Sequence, residues 1–178
     1  MNTKLKVIEA DITTLEVDAI VNPAHNTLLG GCGIDQAIHQ AAGPELLAEC
    51  ERLGGCLTGQ AKLTKGYQLA ARYVIHTVGP IWRGGIKGEP QLLASCYETI
   101  LTIALQHTLK TIAIPNISCG IHGYPLSQAA AIAVKETANF LELHPDIETV
   151  YFVCSDESTF EAYQHAVNSL CHEFCHES

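Results

Sequence analysis

The sequence has few charged residues and no long apolar run. Asp, Glu, Lys and Arg make up only 16% of its 178 residues, whereas 47% are hydrophobic, and disordered chains do not have such a composition. No segment approaches the roughly 18 apolar residues that a membrane-spanning helix needs. The segment Met1–Lys6 lacks the apolar stretch of a secretion signal. These absences predict a folded domain in the cytoplasm with no membrane partner.

Basic side chains are scarce as well. Ten Lys and Arg residues stand against nineteen Asp and Glu residues, which gives a net charge of −9 and an isoelectric point near 5.4. Because nucleic-acid-binding surfaces normally carry a basic patch, this balance argues against a nucleic-acid partner. An anion bound by this protein is better held by backbone N–H groups than by a field of lysines.

Three common phosphate-handling motifs are missing. No Gly-Lys-Ser/Thr follows a glycine-rich stretch, as it does in P-loops, and no Gly-x-Gly-x-x-Gly with a later acidic residue indicates a dinucleotide site. The Cys-x5-Arg loop of thiol phosphatases is absent, since Pro125 stands where the arginine would follow Cys119. Nucleoside triphosphate hydrolysis and hydride transfer are therefore disfavoured.

Cysteine, in contrast, is abundant. Without an export signal we expect reduced thiols rather than a disulfide framework. The stretch from Cys171 to His176 has metal-like spacing but lacks a second ligand pair, so we expect neither a metal site nor a cofactor. The length indicates one domain, residues 1–170, followed by a Cys/His-containing tail, residues 171–178. The eight cysteines are Cys32, Cys50, Cys56, Cys96, Cys119, Cys154, Cys171 and Cys175.

Short β-branched runs alternate with helical patterns, which predicts an α/β fold with helices on both faces of a largely parallel or mixed sheet. Ser127 and Ser158 are expected N-cap residues, because each precedes an apolar helical pattern. The predicted strands are Lys6–Ala10, Asp18–Asn22, Arg72–Val78, Thr111–Pro115 and Thr149–Cys154, with a weaker one at Ala61–Thr64. The predicted helices are Ile34–Ala42, Pro44–Leu53, Pro90–Leu109, Ser127–Leu143 and Ser158–Cys171.

Two glycine-containing loops follow predicted strands, where α/β proteins bind their ligands. The first loop, residues 22–33, has three glycines among its last four residues and leads into a helix, so it can present backbone N–H groups to a phosphate. The second loop, residues 116–125, places Gly120 and Gly123 ahead of another helix. Together the loops can hold a diphosphate from both sides. A plain turn, which also uses one or two glycines, is the alternative.

Asp35 and His39 lie four residues apart and project from one face of the helix that begins at Ile34. Asp35 is a candidate site residue, although an acid in the first turn also suits the helix dipole. His39 is a second candidate, and a half-buried histidine with satisfied hydrogen bonds is its ordinary alternative.

Five motifs occur in order along the chain: Asp11-Ile12-Thr13, Val21–Ala24, Gly30–His39, His76–Pro80 and Ile117–Pro125. Together they resemble the macro domain, and most closely its MacroD-type branch, which includes the bacterial O-acetyl-ADP-ribose deacetylases. The resemblance covers about residues 4–168, nearly the whole chain. It implies a three-layer α/β/α sandwich around a mixed sheet of about six strands. It also implies ADP-ribose or O-acetyl-ADP-ribose as the ligand, with mono-ADP-ribosylated proteins as further partners.

The resemblance implies roles for individual residues. Asp11 would accept a hydrogen bond from the adenine amino group, and Asp35 would help to activate a water that attacks an ester carbon on the distal ribose. That ester is either O-acetyl or the linkage to an acidic protein side chain, and no metal or cofactor takes part. The other implied ligand contacts are Ile12, Asn22, Gly30, Gly31, Cys32, Gly33, Ile34, Ser118, Cys119, Gly120, Ile121, His122 and Phe152.

Two histidines depart from the family's pattern. His25 stands where the family has a second asparagine beside the catalytic aspartate, and His122 where it often has Phe or Tyr. A neutral imidazole can donate and accept as an amide does, but with another geometry. We expect ADP-ribose binding and ester hydrolysis, with Asp35, His25 and His39 as catalytic candidates. The alternatives are a non-catalytic ADP-ribose-binding module and a thiol-dependent hydrolase that uses Cys119.

Overall fold

One six-stranded sheet organises the chain. In this computed structural model the backbone is described for residues 4–176 and the side chains for residues 4–170. The strands are β1 (Leu5–Glu9), β2 (Ala19–Pro23), β3 (Ala61–Lys65), β4 (Tyr73–Thr77), β5 (Thr111–Pro115) and β6 (Thr149–Cys154). Their order is β1-β6-β5-β2-β4-β3, and only β3 and β4 pair antiparallel.

Five α-helices cover the two faces of this sheet. A short 3-10 helix, Ile12–Thr14, follows β1. The α-helices are α1 (Ile34–Ala42), α2 (Pro44–Leu53), α3 (Glu89–Gln106), α4 (Leu126–Leu143) and α5 (Glu157–His176). Helices α1 and α2 pack on one face, and α3, α4 and α5 pack on the other. The predicted α/β/α sandwich around a mixed six-stranded sheet is confirmed.

The alternation of side chains along β2 separates two apolar cores. Ala19 and Val21 pack toward α3, α4 and α5, whereas Ile20 packs toward α1 and α2. Successive strand residues point to opposite faces, so a strand covered on both sides must be apolar throughout. The next residue along β2, Asn22, therefore projects to the α1 side, although it is polar and fully buried.

Two predicted helix starts are wrong. Pro125 precedes α4, and Ser127 lies inside its first turn without capping it. Helix α5 begins at Glu157 rather than after Ser158. The Asp156 carboxylate accepts a hydrogen bond from the Thr159 backbone N–H at 2.8 Å, and a carboxylate serves this purpose as well as a hydroxyl.

None of the six cysteines whose side chains are described forms a disulfide. The side chains of Cys171 and Cys175, and with them the proposed boundary of the tail, lie outside the described residues. Among the described helices, none is long and apolar enough to cross a membrane.

The histidine of β4, His76, is a fully buried polar residue on the α1 side of the sheet. Its Nδ1 lies 3.1 Å from the amide nitrogen of Asn22, and its Nε2 lies 2.9 Å from Thr64 Oγ1. Because an amide nitrogen only donates, Nδ1 must accept and Nε2 must carry the proton. Burial, together with the charge of nearby His39, lowers the pKa of His76 to about 3, so the ring is neutral at physiological pH.

We expect the neutral His76 to make the fold sensitive to acid. The unfolded chain takes up a proton on this ring near pH 6.5, whereas the folded chain does so only near pH 3, so stability falls as the pH drops between these values. The loss is about 1.4 kcal/mol per pH unit, or about 2 kcal/mol at pH 5. Urea unfolding at pH 7 and pH 5 measures it.

His76→Gln is the matched control. Its side-chain oxygen can still accept from Asn22, but it has no titrating ring. The variant should be less stable than wild type at pH 7 and should lose less additional stability at pH 5. Equal losses in the two proteins would show that His76 is not the acid-sensitive group.

Candidate functional site

A cleft of about 500 Å³ opens where β2, β5 and β6 end. These three strands run parallel to one another, so their carboxyl ends and the loops that follow meet at one edge of the sheet. The volume lies in the range of sites that bind small molecules or cofactors. Nine of the predicted site residues line this cleft, namely His25, Cys32, Gly33, Ile34, Ser118, Cys119, Gly120, Ile121 and His122.

The first glycine loop forms one wall of the cleft and leads directly into α1. Gly33, the residue before α1, has a φ of +61° and provides no side-chain cap. The first turn of α1 therefore keeps N–H groups without intrahelical acceptors, and these can bind an anion. Ala37 makes the first helical hydrogen bond, to the Gly33 carbonyl at 3.1 Å.

The second glycine loop forms the facing wall. Ser118 adopts a φ of +69°, a region that favours glycine, and its carbonyl accepts from the Tyr124 N–H at 2.9 Å. Its hydroxyl oxygen is buried without a partner among the described residues. A β-carbon at Gly79 would lie 2.2 Å from that hydroxyl oxygen, so only glycine at the end of β4 leaves room for this loop.

The carboxylate of Asp35 is positioned by a chain of buried side chains. The Asn22 amide nitrogen donates to Asp35 Oδ1 at 2.9 Å and to His76 Nδ1 at 3.1 Å. These two hydrogen bonds use both protons of the amide. His39 Nε2 lies 3.4 Å from the same carboxylate oxygen. Asp35 is only 2% exposed, and thus it is a buried, oriented carboxylate rather than a dipole-stabilising acid at the surface.

Within this group of hydrogen-bonded side chains, two buried oxygens lack donors among the described residues, namely Asn22 Oδ1 and Asp35 Oδ2. A buried acceptor without a donor costs free energy, so each is a group that a hydroxyl or a water molecule would satisfy. Asn22 and Asp35 can therefore each accept a further hydrogen bond beside the first glycine loop.

Gly31 holds the first loop close to both His25 and Asp35. A β-carbon at Gly31 would lie 2.4 Å from His25 Nε2 and 2.9 Å from Asp35 Oδ2. The imidazole ring and the carboxylate are therefore neighbours across this glycine. Four clefts lie in the described part of the chain: the main cleft, a shallower one beside Gly30 and His39, and two more that are described below. His25 lines the main cleft, whereas Asp35 lines none of the four, so His25 is the member of the pair that faces a ligand.

The two unusual histidines meet at the cleft. The rings of His25 and His122 are half-buried and lie 6.4 Å apart, edge to face. Asn26, the residue after His25, points away, and its amide nitrogen donates to the Cys56 carbonyl at 3.0 Å. The neighbouring asparagine therefore does not replace the missing amide, and His25 and His122 define this end of the cleft.

A second cleft of about 500 Å³ continues from the main one past Ile34 and Ser155, which line both. It contains the predicted adenine contacts Asp11 and Ile12. Asp11 Oδ1 accepts from the backbone N–H and the hydroxyl of Thr13, at 3.0 and 2.7 Å, so this oxygen caps the 3-10 helix. Its other carboxylate oxygen stays available to a ligand.

Phe152 does not fit its predicted place in the site. Its side chain is fully buried in the core, with its ring 5.2 Å from that of Tyr163, and it lines none of the four clefts. Both faces of β6 are covered by helices, so a side chain on either face of this strand packs into a core. We therefore leave Phe152 out of the ligand site.

The cysteines of the loops differ in environment. Cys32 is exposed, whereas Cys119 is half-buried and burial raises the pKa of its thiol to about 11. A thiol with such a pKa is protonated near pH 7 and is a poor nucleophile. Within residues 4–170, no three His, Cys, Asp or Glu side chains are grouped closely enough to hold a metal ion.

Sequence reasoning missed three residues of the site. It placed His76 and Gly79 in a motif without giving them a function, and it left Thr64 in a weak strand. A polar His76-Thr77 pair directly after the apolar Val74-Ile75 was the available signal, because a buried polar residue in a central strand needs a partner.

Comparison with known proteins agrees with this architecture. The sequence profile of the macro domain matches residues 21–133. Over 169 residues the chain is 53% identical to the ADP-ribose glycohydrolase MACROD2 of Xenopus laevis, covering 94% of this chain and 40% of that protein. It is 47% identical to the O-acetyl-ADP-ribose deacetylase of Cronobacter sakazakii over 168 residues, which cover 92% and 93% of the two chains.

A solved structure shares the whole fold. The macrodomain of Oceanobacillus iheyensis with ADP superposes with a TM-score of 0.91 at 39% identity, covering 95% of this chain and 92% of that one. The family's profile spans β3, β4, β5, α1 and both glycine loops, and the two relatives match more than nine-tenths of the chain. The chain belongs to the macro domain family.

Proposed function

We propose that this protein binds ADP-ribose and hydrolyses esters on its distal ribose. The substrates are O-acetyl-ADP-ribose and proteins that carry mono-ADP-ribose on an acidic side chain. The observation that carries the proposal is the buried Asp35 carboxylate, which Asn22 orients through Oδ1 and which has Oδ2 free beside His25. The two relatives named for ADP-ribose glycohydrolase and deacetylase activity support it.

The ligand would extend along the two connected clefts. We place the adenine beside Asp11 and Ile12, and the pyrophosphate between the two glycine loops, where backbone N–H groups and the start of α1 face it. The distal ribose then lies at the His25 and His122 end. Backbone dipoles neutralise the diphosphate without lysine or arginine, which suits a chain with a net charge of −9.

The chemical step needs one water and a means of moving its proton. We propose that His25 and Asp35 hold a water against the ester carbonyl carbon and that this pair accepts its proton as the C–O bond forms. The tetrahedral intermediate then collapses, the bond to the ribose oxygen breaks, and the proton passes to that oxygen. The products are ADP-ribose and acetate, or a free protein carboxyl group. Esters are reactive, so positioning and one base suffice without a metal.

A non-catalytic ADP-ribose-binding module is the second candidate. The observation that favours it is the depth of Asp35, which is 2% exposed and lines none of the four clefts, with the His25 ring as its neighbour on the ligand side. In that function the clefts bind ADP-ribose and the carboxylate only shapes the loop. The sequence grounds for a cytoplasmic location and for a separate tail at residues 171–178 apply equally to both candidates.

The roles of Asp35 and His25 are tested by O-acetyl-ADP-ribose hydrolysis in wild type, Asp35→Ala and His25→Asn. We expect Asp35→Ala to reduce kcat by about 100-fold or more, because it removes the carboxylate of the proton-accepting pair. Calorimetry should find its affinity for ADP-ribose nearly unchanged, since loop N–H groups dominate binding. A wild type as slow as Asp35→Ala, together with a fast His25→Asn, would make the protein a binding module.

The close approach of Gly31 is tested by Gly31→Ala. The new β-carbon collides with the His25 ring and the Asp35 carboxylate, so the loop must shift, and we expect about tenfold weaker ADP-ribose binding. In a His25→Ala background, Gly31→Ala should weaken ADP-ribose binding by a smaller factor, because the collision with the His25 ring is gone. Calorimetry on the four proteins gives the coupling. An equal cost in both backgrounds would show that the ring does not confine the loop.

The thiol alternative is tested by Cys119→Ser. We expect the variant to keep most of the wild-type hydrolysis rate, because a thiol whose pKa is raised to about 11 is protonated at neutral pH. An inactive Cys119→Ser that still binds ADP-ribose would instead establish Cys119 as the nucleophile.

A further inference from the structure

A third cleft adjoins the main cleft at the His25 and His122 pair. It has a volume of about 470 Å³, and three of its lining residues, His25, Gly79 and His122, also line the main cleft. We call it the acceptor groove. Its far side is formed by the loop of residues 80–88, which includes Ile81, Arg83 and Lys87.

The loop that bears these side chains is firmly held. The buried carboxylate of Glu89 accepts hydrogen bonds from the backbone N–H groups of Arg83, Gly85 and Lys87, at 2.8, 2.8 and 2.6 Å. Burial of this carboxylate would raise its pKa, but the backbone donors outweigh that influence and hold the pKa of Glu89 below its usual value. The loop is therefore tied around an ionised anchor.

A backbone bond also connects the loop to the main site. The Trp82 N–H donates to the His122 carbonyl at 2.8 Å, and the Trp82 ring lies 4.6 Å from that of Tyr124. The far wall of the acceptor groove and the second glycine loop are consequently parts of one built structure. A molecule in the groove and a ligand in the main cleft would meet at His122.

Charge distinguishes this groove from the other clefts. Of the main cleft, the second cleft, the acceptor groove and the cleft beside Gly30 and His39, only the acceptor groove is lined by Lys or Arg, although the whole chain has just ten such residues and a net charge of −9. Arg83 and Lys87 are exposed, and the ion pairs found in the described part of the chain involve neither of them. Glu89, which also lines the groove, offsets one of these two positive charges, but backbone N–H groups occupy its oxygens and it forms no ion pair with either cation.

We propose that the acceptor groove binds the polypeptide segment that carries the ADP-ribose, and that it selects segments rich in Asp and Glu. The inference rests on the proposed function. The modified carboxyl group is esterified and lies at the His25 and His122 end, while carboxylates a few residues away pair with Arg83 and Lys87. The exposed side chain of Ile81 provides an apolar contact in the same groove. An acetyl group carries no flanking carboxylates that could pair with either cation.

The experiment compares two peptides of equal length, each mono-ADP-ribosylated on a central Glu. One has Asp and Glu at the flanking positions, and the other has Lys there. The proteins are wild type, R83E/K87E and Lys135→Glu, a charge-reversal control in α4 whose exposed residue lines none of the four clefts. O-acetyl-ADP-ribose is the substrate without a peptide. Binding is measured in parallel in an Asp35→Ala background, which prevents turnover.

We expect the wild type to prefer the acidic peptide by about tenfold in kcat/KM and in affinity at low salt, as two exposed ion pairs allow. The preference should shrink in 0.5 M NaCl, because salt screens exposed charges. R83E/K87E should lose or reverse the preference and keep its activity on O-acetyl-ADP-ribose, whereas Lys135→Glu should behave as wild type.

Other results overturn the proposal. Equal use of the two peptides by wild type would show that the groove does not select the acceptor. Weaker binding of free ADP-ribose by R83E/K87E would assign the two cations to the nucleotide, and competition by a short oligonucleotide as strong as that by the acidic peptide would assign them to polyanions in general. A peptide preference in binding without any hydrolysis would disprove the hydrolase function and leave the groove's role standing.

Discussion

The amide of Asn22 is the group on which both the fold and the site depend. It lies fully buried on β2, and its nitrogen donates toward His76 on β4 and toward Asp35 on α1. The first bond satisfies the polar group of a central strand, and the second orients the carboxylate of a helix that begins at the glycine loop. Loss of this amide would leave a buried histidine and a buried carboxylate without a donor, a cost paid in stability and in geometry together.

An acidic chain can bind a diphosphate because net charge and local potential are different quantities. The clefts that would hold ADP-ribose contain no lysine or arginine, yet the start of α1 and the glycine loops present uncapped N–H groups there. Such dipoles act over a few ångströms and leave the long-range field unchanged. Such an arrangement can hold one small anion although the net charge of the chain is negative.

Features that depend on neighbouring residues in the sequence could be predicted, whereas contacts between residues far apart in the sequence could not. Both glycine loops, the helices α1 and α2 and the strands β5 and β6 were predicted at or near their observed bounds, because turn residues and side-chain periodicity are local signals. The bond between Asn22 and His76 was not predicted, since it joins residues 54 positions apart that only strand pairing brings together. The start of α5 was wrong for a local reason, because Asp156 competes with Ser158 for the same capping role.

The groups that would bind the nucleotide differ from the groups that would contact the substituent on its distal ribose. Backbone groups of the two loops would bind the diphosphate, and almost any side chain that tolerates the loop conformation preserves them. His25 and His122, in contrast, act through their rings at the boundary between the main cleft and the acceptor groove. Under the proposed function, substitutions there would change the contacts to the reacting end of the ligand and leave the contacts to the adenine end intact. A macro domain can therefore alter which attachments it recognises or cleaves while its affinity for ADP-ribose stays nearly constant.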